Sequence, residues 1–257
     1  MKIGIRLESL GVPFRKALLE AARLGVVGVQ VDAVGELAPD RLSQTGRREI
    51  KNLLRAHNLE LTALGCPLRH GFDTAENLQP RIELVQNVMA LSFELGPRLV
   101  IVQAGRLPED PAAPATMNEA LLALGQYGDR VGAILALETG LEASASLAAY
   151  LARFDCGGLG VNFDPANLLS NGLDPYAVAP LADKIVHVHA KDARKAGASR
   201  AAAEVALGQG NLDWLRLAGE LREIEYRGWV VAERETAVMS PAEAAAAVGL
   251  LRRLVGG

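Results

Sequence analysis

The feature that most restricts what this chain can fold into is an alternation. Eight short apolar runs, rich in Val, Ile and Leu, are each followed by a longer stretch with helical spacing. The runs are KIGIRL (2–7), VGVQVD (27–32), ELTALG (60–65), RLVIVQ (98–103), AILALE (133–138), GLGVNF (158–163), KIVHVH (184–189) and GWVVAE (228–233). Each is short and almost continuously apolar, as a parallel strand covered on both faces must be. Between them, stretches such as RREIKNLLRAHN and RIELVQNVMALSFELG repeat apolar residues at i, i+3, i+4 and i+7, giving one face to lay on a sheet. Leu24-Gly25, His57-Asn58 and Leu95-Gly96 have the glycine or asparagine that ends a helix. Asp174-Pro175 and Ser240-Pro241 pattern as helix starts, a polar cap before a proline.

Eight such units use the whole of the 257 residues, and an eight-unit α/β barrel takes about 250. The expectation is therefore α/β class: a single (β/α)8 TIM barrel domain over 1–257. An open doubly wound sheet is the alternative, but VPF follows the first strand and no G-x-G-x-x-G opens a helix there.

Composition excludes several classes of function. Net charge is −3 with both signs scattered, so no basic footprint for nucleic acid exists. No apolar run approaches the roughly 18 residues of a membrane span, and the N-terminus lacks a secretory pattern. Cys66 and Cys156 are few and far apart, fitting free thiols and a cytoplasmic location. Of two alanine-rich segments, 242–247 reads as close packing of the last helix. The other, 196–206 after strand seven, reads as a mobile active-site loop.

In a barrel, side chains ending a strand at its C-terminal edge converge on one pocket. Strand five ends at Glu138, strand six at Asp164, strand seven at His189 and strand eight at Glu233. Any one of these alone is more often a paired rim residue or a satisfied core histidine. Four in successive strands point to one divalent ion, and three carboxylates with an imidazole suit Mn2+, Mg2+, Co2+ or Zn2+. His187 faces the same way as His189, one layer deeper.

The segments LALETG, VNFDPAN, HVHAKD with a following GQGNLDW, and GWVVAERE resemble the xylose isomerase-like superfamily. The resemblance runs over the whole chain and is strongest from Glu138 to Glu233. It implies a sugar or sugar-phosphate isomerase or epimerase with a carbohydrate substrate. Its metal ligands would be Glu138, Asp164, His189 and Glu233, with Glu138 and Glu233 as catalytic base and acid on opposite faces of the sugar. Proton abstraction beside a carbonyl would pass through a metal-stabilised enediolate. A ligating carboxylate is a poor base, so both roles require one oxygen for the metal and the other for the substrate. Association into a homo-oligomer is common in the family.

Candidate substrate-binding residues are His70, Gln103, Asn167, Lys191 and Arg194. Asn167 stands where related epimerases often carry histidine, a departure that favours hydrogen bonding there. Arg6, Glu8 and Arg106 are rim residues read as structural, and Arg234 and Glu235 as a pair with each other. Phe14 and Phe72 are candidates for apolar contact with a sugar. GQGNLDW is a candidate source of phosphate-binding amides. A Schiff-base role for Lys191 and a nucleophilic role for Cys66 are the weaker readings.

Three alternatives stand beside the isomerase. An inosose dehydratase-like lyase shares its first step. A sugar-binding barrel without turnover would keep the same ligands. The DNA-repair branch of the superfamily needs more histidines than His57, His70, His187 and His189 supply.

Overall fold

The computed structural model describes residues 1–110, 115–195 and 202–255. In chain order its strands are β1 (Lys2–Arg6), β2 (Gly28–Asp32), β3 (Glu60–Gly65), β4 (Leu99–Val102), β5 (Ile134–Glu138), β6 (Leu159–Phe163), β7 (Ile185–Ala190), β8 (Asp192–Lys195), β9 (Ala202–Val205) and β10 (Trp229–Ala232). All but β8 and β9 are parallel and close a barrel in the order β1-β10-β7-β6-β5-β4-β3-β2. The eight apolar runs are its eight staves, so the α/β barrel is the fold. β8 and β9 pair antiparallel as a separate hairpin after β7. Part of the segment read as a mobile loop is thus ordered strand, and its residues 196–201 lie outside the described residues.

The helices are α1 (Phe14–Arg23), α2 (Gln44–Ala56), α3 (Leu78–Leu95), α4 (Thr116–Val131), α5 (Ser144–Leu151), α6 (Pro165–Ser170), α7 (Trp214–Glu223) and α8 (Pro241–Val255). α8 begins as its sequence predicts. Ser240 Oγ accepts the Glu243 N–H at 3.2 Å and Glu243 Oε2 accepts the Ser240 N–H at 2.8 Å, a reciprocal cap. Asp174-Pro175 starts no α-helix. Asp174 Oδ1 instead accepts the Tyr176 N–H at 2.9 Å and closes a turn, because asparagine-like side chains mimic turns as readily as they cap helices.

Leu18, Leu64, Met89, Leu135 and Phe163 are among the fully buried side chains that seal helices onto the barrel's outside. Truncating one such leucine to alanine costs about 2–5 kcal/mol. Inside the barrel, Ala63, Leu99, Ile101 and Ala136 form a small apolar cluster. Much of the rest of the interior is polar, with Gln30, Thr62, Asn162, His187 and His189 all buried. Strand register slips at two places, between Val29 and Gln30 opposite β3 and between Val161 and Asn162 opposite β7. Such irregularities re-aim side chains, and each here falls immediately before a residue that supports a histidine. Among the described residues, no helix is long and apolar enough to cross a membrane.

Candidate metal centre

Glu138 ends β5, Asp164 caps α6, His189 lies in β7 and Glu233 follows β10. One donor atom from each falls within 4.8 Å of the others. Asp164 Oδ2 and Glu233 Oε2 are buried, and each faces a cationic side chain of the cluster, Lys191 Nζ at 2.8 Å and His189 Nδ1 at 2.8 Å. Three buried carboxylates packed this closely carry more negative charge than a low-dielectric interior tolerates without cations, and donor atoms from all four residues converge there. The residues present therefore fit a divalent cation. Three oxygens and one nitrogen are a hard-to-borderline donor set.

The supports of the four are specific. His189 Nε2 lies 2.8 Å from Gln30 Oε1, which can only accept, so that nitrogen carries the proton and Nδ1 faces the cluster. Nδ1 meets Asn162 Nδ2 at 2.9 Å and Glu233 Oε2 at 2.8 Å. The other end of Asn162 meets His187 Nδ1 at 2.9 Å, and His187 Nε2 reaches Thr62 at 3.2 Å. His187 thus sits under His189 in a network of its own, and burial with the neighbouring His189 holds its pKa well below the usual value.

Arg6 braces the last carboxylate. Its Nη1 donates to Glu233 Oε1 at 2.5 Å and its Nη2 to Asp32 Oδ2 at 2.6 Å. Glu138 Oε1 accepts from Asn167 Nδ2 at 2.7 Å, while Asn167 N–H donates to Asp164 Oδ1 at 3.0 Å. Lys191 is buried, with Nζ 2.8 Å from Asp164 Oδ2 and 2.9 Å from Glu235 Oε2.

Electrostatics follow from this packing. Burial would lower the His189 pKa, but the carboxylates of Glu233 and Glu138 outweigh it and push it up to about 10. Burial would raise Glu233 and Glu138, yet His189 and Lys191, with Arg6 on Glu233, hold both below the usual carboxylate range. Asp164 is pushed up to about 7, first by burial and then by the two neighbouring carboxylates, against Lys191. The Cys66 thiol is pushed up to about 12 by burial and Asp32, which makes it a poor nucleophile.

Two adjoining cavities open over the cluster, about 90 Å³ and 200 Å³, and both are lined by Gln103 and Glu138. Arg6, Asp32, His189 and Glu233 line the first; Asn167 lines the second. The structure does not bring all the candidates together. His70 is exposed and borders a different surface hollow. Arg194 is exposed in β8 and donates to the Gln209 carbonyl. Lys191 is buried beside the carboxylates and lines neither cavity. Phe72 is fully buried, so Leu68, Ile101 and Val102 form the apolar wall instead. Arg234 pairs with Glu204 and Glu243 rather than with Glu235.

The segment 208–213 offers no amides to a phosphate. Asp192 accepts from Gly208, Gly210 and Leu212, and the amides of Gln209, Asn211 and Asp213 go to Ala206, Ala193 and Tyr176. Gly210 is required there, since a Cβ would fall 1.9 Å from Asp192 Oδ1.

Sequence reasoning missed Gln30, Asp32 and Asn162 and read Arg6 as merely structural. The signal was present: polar residues inside otherwise apolar strands, at inward-facing positions.

The family model for the xylose isomerase-like TIM barrel matches residues 18–254. The chain belongs to the xylose isomerase-like TIM barrel family. A curated relative, the uncharacterized protein YfiH of Bacillus subtilis (strain 168), is 27% identical over 94% of this chain and 95% of its own. The barrel is similar to a xylose isomerase domain protein from Planctomyces limnophilus (26% identity, TM-score 0.85, 98% of this chain and 96% of that one). Solved structures of lower identity share the fold. A D-tagatose 3-epimerase-like protein matches at 20% identity and TM-score 0.80, over 100% of this chain and 97% of its own. The probable 3-DHS dehydratase AsbF from Bacillus anthracis matches at 18% and 0.77, over 98% of each chain.

Proposed function

We propose that the chain is a divalent-metal-dependent isomerase acting on a sugar or related polyol that carries a carbonyl. The observation that carries this reading is the convergence of donor atoms from Glu138, Asp164, His189 and Glu233 within 4.8 Å of one another, all four side chains buried. When bound, a divalent cation would polarise a carbonyl and its neighbouring hydroxyl and so acidify the adjacent C–H.

The chain's own part is to take and return that proton. Glu138 is placed for it: Oε1 is held by Asn167, and Glu138 borders both cavities. Glu233 is not equivalent. Arg6 occupies its Oε1, and its Oε2 lies at His189 Nδ1. Inversion at carbon needs a proton lost on one face and returned on the other, and of these two carboxylates only Glu138 is without an arginine partner. The arrangement therefore supports a shift of hydrogen along one face more than epimerisation. It also supports the second reading, dehydration by a lyase, in which the same carboxylate that takes the proton can return it to the departing hydroxyl, which leaves as water. Gln103 at the shared wall is a candidate for binding a substrate hydroxyl. The amides of 208–213 are all engaged, which favours an uncharged substrate over a phosphate ester. A cytoplasmic enzyme is the same reading's location, with Cys66 and Cys156 as free thiols.

The test is proton exchange by NMR in D2O, with Mn2+ present, over a panel of ketoses and inososes. Deuterium entering a carbon beside a carbonyl, absent in Glu138→Gln, supports the reading. Protein that binds these compounds without any exchange supports the sugar-binding alternative instead.

A further inference from the structure

Lys191 places a permanent cation among the oxygens that would hold the ion. Its Nζ is 2.8 Å from Asp164 Oδ2, 3.7 Å from Glu233 Oε2 and 3.8 Å from Glu138 Oε1. Its side chain is only 4% exposed and is buried against these carboxylates. A charge there competes with a divalent ion for the same three carboxylates. Among the described residues, the ammonium's partner outside the quartet is Glu235 Oε2 at 2.9 Å; the Glu235 side chain is 43% exposed.

Glu235 is itself held in place. Its backbone N–H donates to Glu204 Oε1 at 2.9 Å and the next N–H, of Thr236, to Glu204 Oε2 at 2.8 Å. Glu204 comes from β9 and also pairs with Arg234 at 3.2 Å. The hairpin thus fixes the backbone that carries Glu235, and Glu235 fixes the outer flank of Lys191. The Glu235 carboxylate itself accepts from Lys191 Nζ at 2.9 Å and from Gln103 Nε2 at 3.4 Å.

We propose that Glu235 sets how tightly the quartet holds its ion, acting through Lys191 as a positioning residue. With Glu235 present, Lys191 divides its charge between two carboxylates. Without it, the ammonium settles on Asp164 and weakens the ion's hold. This inference rests on the quartet being a divalent-ion site, and it gives Lys191 and Glu235 a part in ion affinity; Glu235 also borders the first cavity, where its Oε1 accepts from Gln103 Nε2.

The experiment is a Mn2+ titration of the full-length wild type, Glu235→Gln, Lys191→Met and the double variant, read by calorimetry. Salt of about 0.5 M screens the direct field of half-exposed Glu235 on the ion. Glu235→Gln is expected to weaken Mn2+ binding about tenfold, the lower end for outer partners of metal ligands. Lys191→Met is expected to tighten it, and in that background Glu235→Gln should have less than about a third of its former effect. An equal effect in both backgrounds overturns the proposal while leaving the metal site standing. A wild type that binds no Mn2+ sinks both. If Lys191→Met does not fold, Glu235→Asp decides: it keeps the charge but withdraws it from Nζ, and wild-type affinity there overturns the proposal.

Discussion

His189 donates its Nε2–H across the barrel to the side-chain oxygen of Gln30, 2.8 Å away. The bond fixes which nitrogen faces Glu138, Asp164 and Glu233, and it joins β7 to β2, which are not neighbours in the ring. Gln30→Leu keeps the approximate volume and removes the acceptor. Divalent-ion affinity should fall by about 10- to 100-fold, the usual weight of such a support. Titration with Mn2+ beside a thermal melt separates this loss from unfolding.

Ion binding should be linked to protons. With no ion bound, His189 keeps its imidazolium up to about pH 10, because Glu233 and Glu138 outweigh burial. A ligand nitrogen must be neutral, so binding at pH 8 releases a proton and affinity rises with pH until about 10. Asp164, pushed up to about 7, adds a second proton below that pH. Calorimetry in two buffers of different ionisation enthalpy measures the number released. About one proton per ion at pH 8 is expected, and none would contradict the assignment of His189.

Arg6 is the brace whose loss the fold should feel most. Removing its guanidinium leaves Glu233 and Asp32, both buried, without their shared cation. Breaking one side of a buried ion pair costs about 3–5 kcal/mol. Arg6→Met should lower the unfolding free energy by that order in denaturant titration, whereas Arg15→Met, from an exposed pair with Glu49, should change it by less than about 1 kcal/mol.

Asp192 ties the segment 208–212 to the hairpin through backbone N–H groups. Asp192→Asn can accept through only one oxygen. Hydrogen exchange at Gly208 and Gly210 should quicken about 10- to 100-fold, as the loss of about 1.4–2.7 kcal/mol of local protection requires. Unchanged exchange would mean that the segment is held by other contacts.

The barrel was legible because its strands are buried on both faces and so read as apolar runs. The quartet was legible because strand ends converge in this fold. What remained hidden depends on cross-barrel distance. Nothing in VGVQVD says that Gln30 reaches His189 in β7. Lys191 reads as a substrate-binding residue facing the same side as His189, yet one residue beyond β7 it is buried among the carboxylates. His70 and Arg194 stand close in sequence to strand ends, but the chain turns outward before reaching them. The register slips before Gln30 and Asn162 leave no mark in composition at all.

The central claim is that Glu138, Asp164, His189 and Glu233 together hold one divalent ion. Elemental analysis of the purified wild type beside Glu138→Gln and His189→Ala tests it most directly. The account predicts about one equivalent of Mn, Mg, Co or Zn in the wild type and its loss in both variants. A wild type that takes up none of these ions when they are added back, or variants that retain a full equivalent, would contradict it.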